Sequence, residues 1–135
     1  MENAHLTYDV LDHFTVRCTP GRLRALGEFY TGVLGLHAGP RPDFSFDGLW
    51  LWLYGRDRPV VHLAATAAAG PMPPTDAAGG FDHVAFRAHD AAQFKRRLRS
   101  LGIAFREQQV PAGPYQIFVT DPEGTSLEFN FDAAP

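Results

Sequence analysis

Three side chains stand where their types and spacing allow chemistry: His13, His83 and Glu128. His13 lies in Leu-Asp-His-Phe-Thr-Val-Arg at residues 11–17, and His83 in Phe-Asp-His-Val-Ala-Phe-Arg at residues 81–87. Both runs are β-rich, with Asp-His at the second and third places and Arg at the seventh. Imidazole and carboxylate are common donors to divalent ions and common carriers of protons. His62, in Val-Val-His-Leu-Ala at 60–64, adds another imidazole. A single strand histidine reads as one satisfied in a polar network. A pair at equivalent places of a repeat points to a shared role.

Alternation places these groups on faces. Along 10–18, Val10, Asp12, Phe14, Val16 and Cys18 point one way, and Leu11, His13, Thr15 and Arg17 the other. The first set is mostly apolar and should face a helix, so His13 lies on the opposite face. Asp12 and Asp82 then point away from the histidines, which argues against a bond to either ring. In the last strand Leu127, Phe129 and Phe131 share one face, and Ser126, Glu128, Asn130 and Asp132 the other. If one face of each sheet packs helices, His13, His62, His83 and Glu128 all point into a cleft on the other.

The elements that must hold them recur in the same order: strand, helix, three strands. Thr19-Pro20 offers a hydroxyl N-cap with proline at the first helical position, and Leu23, Leu26, Tyr30, Val33 and Leu34 give a helix over about 20–34, ended by Gly35. Tyr30 fits the apolar stripe and should be core. A short strand and loop follow over 37–46, then strands at 49–54 and 60–64. The second half offers a strand at 81–87 and a helix capped by Asp90 with Phe94, Leu98 and Leu101 inward, ended by Gly102. Strands follow at 103–109, 115–120 and 125–131. His83 follows His13 by 70 residues, Gly102 follows Gly35 by 67, and Glu128 follows His62 by 66. The expected fold is α+β: two tandem βαβββ modules, about 9–66 and 80–132, forming a curved mixed sheet around a cleft. A connector rich in alanine, proline and glycine, about 67–79, joins them.

By the same offset Trp52 falls over Phe118. Trp50 and Trp52 in the first module, and Gln116 and Phe118 in the second, are expected to wall the cleft. Such a wall suits a hydrophobic or aromatic organic substrate, although aromatics on a strand are also usual in cores and dimer interfaces. Arg17 and Arg87 share the histidine faces and read either as strand-end ion pairs or as holders of a substrate carboxylate.

Composition removes other classes. The 135 residues carry a net charge of −3 and no long basic run, which argues against a nucleic-acid partner. Lys95, Arg96, Arg97 and Arg99 read as a solvated helix face. With one cysteine, Cys18, neither an intrachain disulfide nor a CxxC site is possible. No apolar run approaches the roughly 20 residues of a membrane span, and the first residues lack a signal-peptide pattern, so a cytoplasmic address is expected.

The chain resembles the vicinal oxygen chelate superfamily, which includes glyoxalase I, extradiol dioxygenases, fosfomycin-resistance transferases and bleomycin-binding proteins. The resemblance rests on Leu-Asp-His at 11–13, Glu-Phe-Tyr-Thr-Gly-Val-Leu-Gly-Leu at 28–36, Phe-Asp-His-Val-Ala-Phe at 81–86 and Asp-Pro-Glu-Gly-Thr-Ser-Leu-Glu-Phe at 121–129. It implies metal ligands at His13, His83 and Glu128, and a cleft that binds a divalent ion such as Fe, Mn, Ni, Co or Zn. Glyoxalase I-like members have a glutamate at the place of His62. This departure leaves His62 as a fourth ligand, a proton-transfer residue or part of the pocket wall; Glu128 is the other acid–base candidate. The implied activity is that of a glyoxalase-like lyase or isomerase, or a dioxygenase, on a small substrate that chelates the ion through neighbouring oxygens. The alternative is a non-catalytic module that binds an antibiotic or other small molecule. The resemblance also implies a homodimer in which ligands from the first module of one chain meet those from the second module of the other.

Overall fold

A computed structural model describes residues 11–67 and 83–135. The connector therefore lies outside the described residues from residue 68 onward. The first module contains β1 (Phe14–Arg17), β2 (His37–Ala38), β3 (Gly48–Trp52) and β4 (Pro59–Ala64), in the sheet order β1-β4-β3-β2. The second contains β5 (Val84–Arg87), β6 (Arg106–Gln109), β7 (Tyr115–Thr120) and β8 (Ser126–Phe131), in the order β5-β8-β7-β6. In each, the first strand runs parallel to the last and the other pairs are antiparallel. The α+β βαβββ duplication read from the sequence is thus the observed topology. The strands form two four-stranded mixed sheets, whose first strands approach through Phe14 and Phe86, edge to face at 6.1 Å.

The expected alternation decides the core. Val16, Leu51, Val61 and Leu63 are buried in the first module, and Ile117, Val119, Leu127, Phe129 and Phe131 in the second. Phe94 of helix α2 (Ala91–Ser100) packs on Phe129 and Phe131. Asp90 caps α2 as expected: its carboxylate accepts from Gln93 N–H at 3.0 Å, with the Asp90 backbone at φ 61°. Leu101 falls at the C-cap and is exposed instead of completing the apolar face.

The first helix differs from a single α-helix over 20–34. A 3-10 turn (Pro20–Arg22) leads into α1 (Leu23–Glu28), which widens into π turns (Phe29–Val33). The Thr31 hydroxyl donates to the Gly27 carbonyl, the acceptor an α ladder would give to the Thr31 N–H, and the Leu34 N–H bonds back to Phe29. Thr19 makes no side-chain cap; its carbonyl instead accepts from Arg22 N–H. Gly27 permits the close approach to the sheet, since a Cβ there would stand 2.7 Å from Leu49 Cδ1.

Helix-to-turn contacts join the modules. The Tyr30 hydroxyl is buried and donates to Asp121 Oδ2 at 2.8 Å, so Tyr30 is core with a polar anchor. Burial and the Asp121 charge push the phenol far above its ordinary pKa. Arg22 donates to Glu123 Oε1 and the Pro122 carbonyl. Arg97 donates to the Gly32 and Val33 carbonyls, satisfying acceptors that the end of the first helix leaves open. Cys18 is buried beside this seam. Burial first, and then the charge of Glu123 across the seam, raise its thiol pKa. No helix among the described residues is long and apolar enough to cross a membrane.

Candidate metal and substrate site

In the first module three rings form a column. Trp50 and His62 are cross-strand partners on β3 and β4, and their rings stack at 4.3 Å, 14° from parallel. His13, just before β1, stacks on the other side of His62 at 3.8 Å and 11°. His62 Nε2 is buried with no hydrogen-bond partner. Burial foremost, then the neighbouring His13, lower the His62 pKa, while Asp12 opposes them. Both effects favour the neutral ring.

Asp12 corrects the strand-parity reading. His13 Nδ1 lies 2.6 Å from Asp12 Oδ1, so the aspartate does bond the ring. The reason is local: β1 begins only at Phe14, and Asp12 and His13 precede it, where alternation of faces no longer applies. Arg58 holds the second carboxylate oxygen at 3.1 Å. The His13 hydrogen bond first, with Arg58 after it, holds the Asp12 carboxyl below its ordinary pKa. Because a carboxylate only accepts, Nδ1 of His13 carries a proton, and in the neutral ring this leaves Nε2 as the acceptor.

In the second module, His83 Nε2 stands 3.5 Å from Glu128 Oε1. Glu128 is buried, 9% exposed, although its neighbours Leu127 and Phe129 face the core on the other side. A chain of amides ends on it. Gln108 Nε2 donates to Gln116 Oε1 at 2.6 Å, Gln116 Nε2 to Asn130 Oδ1 at 2.9 Å, and Asn130 Nδ2 to Glu128 Oε2 at 2.8 Å. The chain crosses the sheet from β6 to β8 and fixes the carboxylate with one oxygen toward His83. Gln116, expected as a substrate contact, spends both ends of its amide in this chain. Asn130 and Gln108 were not among the candidates; the alternation of β8 and the register of β6 on β7 are the signals that point to them.

The other expected contacts divide. Phe118 stands opposite Glu128 on β7. Trp52 lies apart from the ring column and stacks with His37 at 6.4 Å. Arg17 donates to the Thr66 hydroxyl and carbonyl, not to a carboxylate, and Arg87 forms a strand-end ion pair with Asp132 at 2.8 Å. The four candidate ligands thus fall into two pairs, His13 with His62 and His83 with Glu128. No group of three or more potential ligands gathers among the described residues of one chain.

The donor set suits a borderline divalent ion. A ligating histidine ordinarily donates its second ring nitrogen to a carboxylate, the arrangement of Asp12 and His13. The separation of His83 Nε2 from Glu128 Oε1 is close to the edge of about 3.4 Å subtended by two donors each about 2.1 Å from one tetrahedral ion. The buried, unpartnered His62 Nε2 is a further lone donor atom.

The sequence profile of the Glyoxalase/Bleomycin resistance protein/Dioxygenase superfamily matches residues 10–129. No curated protein matches. Among solved structures, lactoylglutathione lyase from Agrobacterium tumefaciens is 22% identical with a TM-score of 0.65, covering 93% of this chain and 95% of its own. TnmS3, an antibiotic-binding protein from Streptomyces sp. CB03234, is 20% identical with a TM-score of 0.68, covering 96% and 100%. A variant of the fosfomycin resistance protein FosX from Listeria monocytogenes, complexed with Mn(II) and a dihydroxypropylphosphonic acid, is 12% identical with a TM-score of 0.68, covering 94% and 95%. At these identities the likeness is one of fold.

Proposed function

Because this chain belongs to the Glyoxalase/Bleomycin resistance protein/Dioxygenase superfamily, we propose that it is a divalent-metal-dependent enzyme acting on a small organic substrate through two neighbouring oxygens. The observation that carries this reading is the Asp12–His13 hydrogen bond, which directs the other ring nitrogen, Nε2 of the neutral imidazole, to a metal. The proposed ligands are His13, His83 and Glu128; Fe, Mn, Ni, Co and Zn all suit this set. A bound ion would supply Lewis acidity toward negative charge developing on a substrate oxygen.

The protein's own groups orient and move protons. Asp12 fixes the His13 tautomer, and the amide chain fixes Glu128. His62, neutral and with an unpartnered Nε2, is the candidate proton acceptor. Trp50 walls the site behind it. The division into two pairs supports a homodimer in which His13 of one protomer completes the His83–Glu128 pair of its partner. The reaction class is a lyase or isomerase step, or a dioxygenation.

Metal analysis of protein purified without chelator or affinity tag tests the proposal, beside His13→Ala and Glu128→Ala. The expected result is about one ion per chain in wild type and a loss in both variants. Wild type without stoichiometric divalent metal, together with variants unchanged in binding added metal, would overturn it. A second reading, a non-catalytic binder of flat aromatic compounds, is favoured by the Trp50–His62–His13 column. It requires aromatic ligands to bind metal-free protein and to lose affinity in Trp50→Ala.

A further inference from the structure

The register of the second sheet lines up one row of side chains. Arg106 on β6 pairs with Phe118 on β7, Phe118 with Glu128 on β8, and Glu128 with Ala85 on β5. Cross-strand partners share a face, and neighbouring strands lie about 4.8 Å apart, so Arg106 stands two strands, about 10 Å, from the Glu128 backbone. Its guanidinium lies over the Phe118 ring, 4.3 Å from the centroid. That ring is its partner among the described residues; no carboxylate pairs with it there. A cavity of about 500 Å³ opens against this row, lined by Phe29, Phe105, Arg106, Phe118, Thr120 and Ser126 among others. The volume falls within the roughly 300–1,000 Å³ usual for small-molecule sites.

We propose that Arg106 is a specificity-determining residue that binds an anionic group of the ligand, whose apolar or aromatic body occupies this cavity against Phe118. The ligand class is an organic anion, such as a carboxylate on a planar or apolar frame. Glu128 and His83 are not among the residues that line this cavity, so binding there goes beyond the proposed function and does not depend on the proposed metal ligands.

The chemistry of the lining supports an anion. Phe29, Phe105 and Phe118 offer apolar surface, Thr120 and Ser126 carry hydroxyls, and Arg106 contributes the lining's cation. Asp121 also borders the cavity, yet its carboxylate is turned to its own donors. Oδ1 accepts from Glu123 and Thr125 N–H at 2.8 and 2.9 Å, and Oδ2 from the Tyr30 hydroxyl. A guanidinium stacked on a ring has its orientation set before a ligand arrives and keeps its edge free for a carboxylate.

The test uses 2-naphthoate and its neutral counterpart 2-naphthamide as probes, titrated calorimetrically into metal-free full-length protein, so that it does not depend on the metal reading. Wild type should bind naphthoate more tightly than naphthamide. Arg106→Gln should weaken naphthoate by about tenfold or more and leave naphthamide unchanged, with Arg106→Lys recovering part of the loss. Metal analysis of the same wild-type protein is run alongside; failure of metal binding with the discrimination between the probes intact would overturn the enzyme reading alone. Equal affinities of wild type and Arg106→Gln for naphthoate, equal weakening of both probes, or no binding of either probe to wild type would overturn the proposal.

Discussion

The imidazole of His13 lies flat on that of His62, with ring centroids 3.8 Å apart and planes 11° from parallel. Burial first, and then the neighbouring His13, disfavour the protonated form of His62 and hold its pKa below the ordinary 6.5.

This relationship predicts a pH dependence in metal-free protein. Folding disfavours the protonated His62, so the unfolded chain binds that proton more readily. The His62 contribution to stability is complete above about pH 6.5 and is lost as the pH falls from there through the lower folded pKa. Urea denaturation at stepped pH should show wild type losing stability over that range more steeply than His62→Gln. In an NMR titration the His62 ring should titrate below 6.5 and move upward in His13→Asn.

The buried pair Tyr30–Asp121 predicts a large effect from one atom. Tyr30→Phe keeps the ring and removes the hydroxyl, leaving Asp121 Oδ2 buried without its donor. The expected cost is about 1–3 kcal/mol in equilibrium unfolding. A change within experimental error would mean that water replaces the hydroxyl.

The proposed shared site predicts complementation between protomers. His13→Ala and Glu128→Ala homodimers should each bind metal poorly. Mixed after partial denaturation and refolding, they should form heterodimers with one intact site, restoring about one ion per heterodimer. If the ligands instead meet within one chain, mixing restores nothing, and metal analysis of the isolated heterodimer decides.

Asp90 caps α2 from a backbone conformation with φ 61°, which side chains rarely adopt. Asp90→Ala should lose the bond to Gln93 N–H and keep the strain, costing about 1–2 kcal/mol. Asp90→Gly loses the same bond but takes the conformation freely, so its thermal midpoint should fall less.

The sequence carried the element order and the sheet faces because both depend on alternation, which Val61, Leu63, Leu127 and Phe129 obey without exception. It misassigned Asp12 because the strand stops short of it. It presented the helix as a single α segment because the Thr31 bond to Gly27 is invisible in an apolar pattern. It passed over Arg106 for a related reason: Arg-Glu-Gln-Gln at 106–109 has no apolar alternation, so only its pairing with β7 shows which face each residue takes. The grouping of the candidate ligands into two pairs is set by how the sheets lie, and spacing along a chain does not encode it.

Cys18, the chain's one thiol, sits under the seam where Arg22 and Glu123 join the modules, buried and with its ionisation suppressed. A disulfide reagent reaches such a sulfur only when the structure around it opens. The rate at which the native protein consumes that reagent therefore times that opening, with no label added and no residue changed.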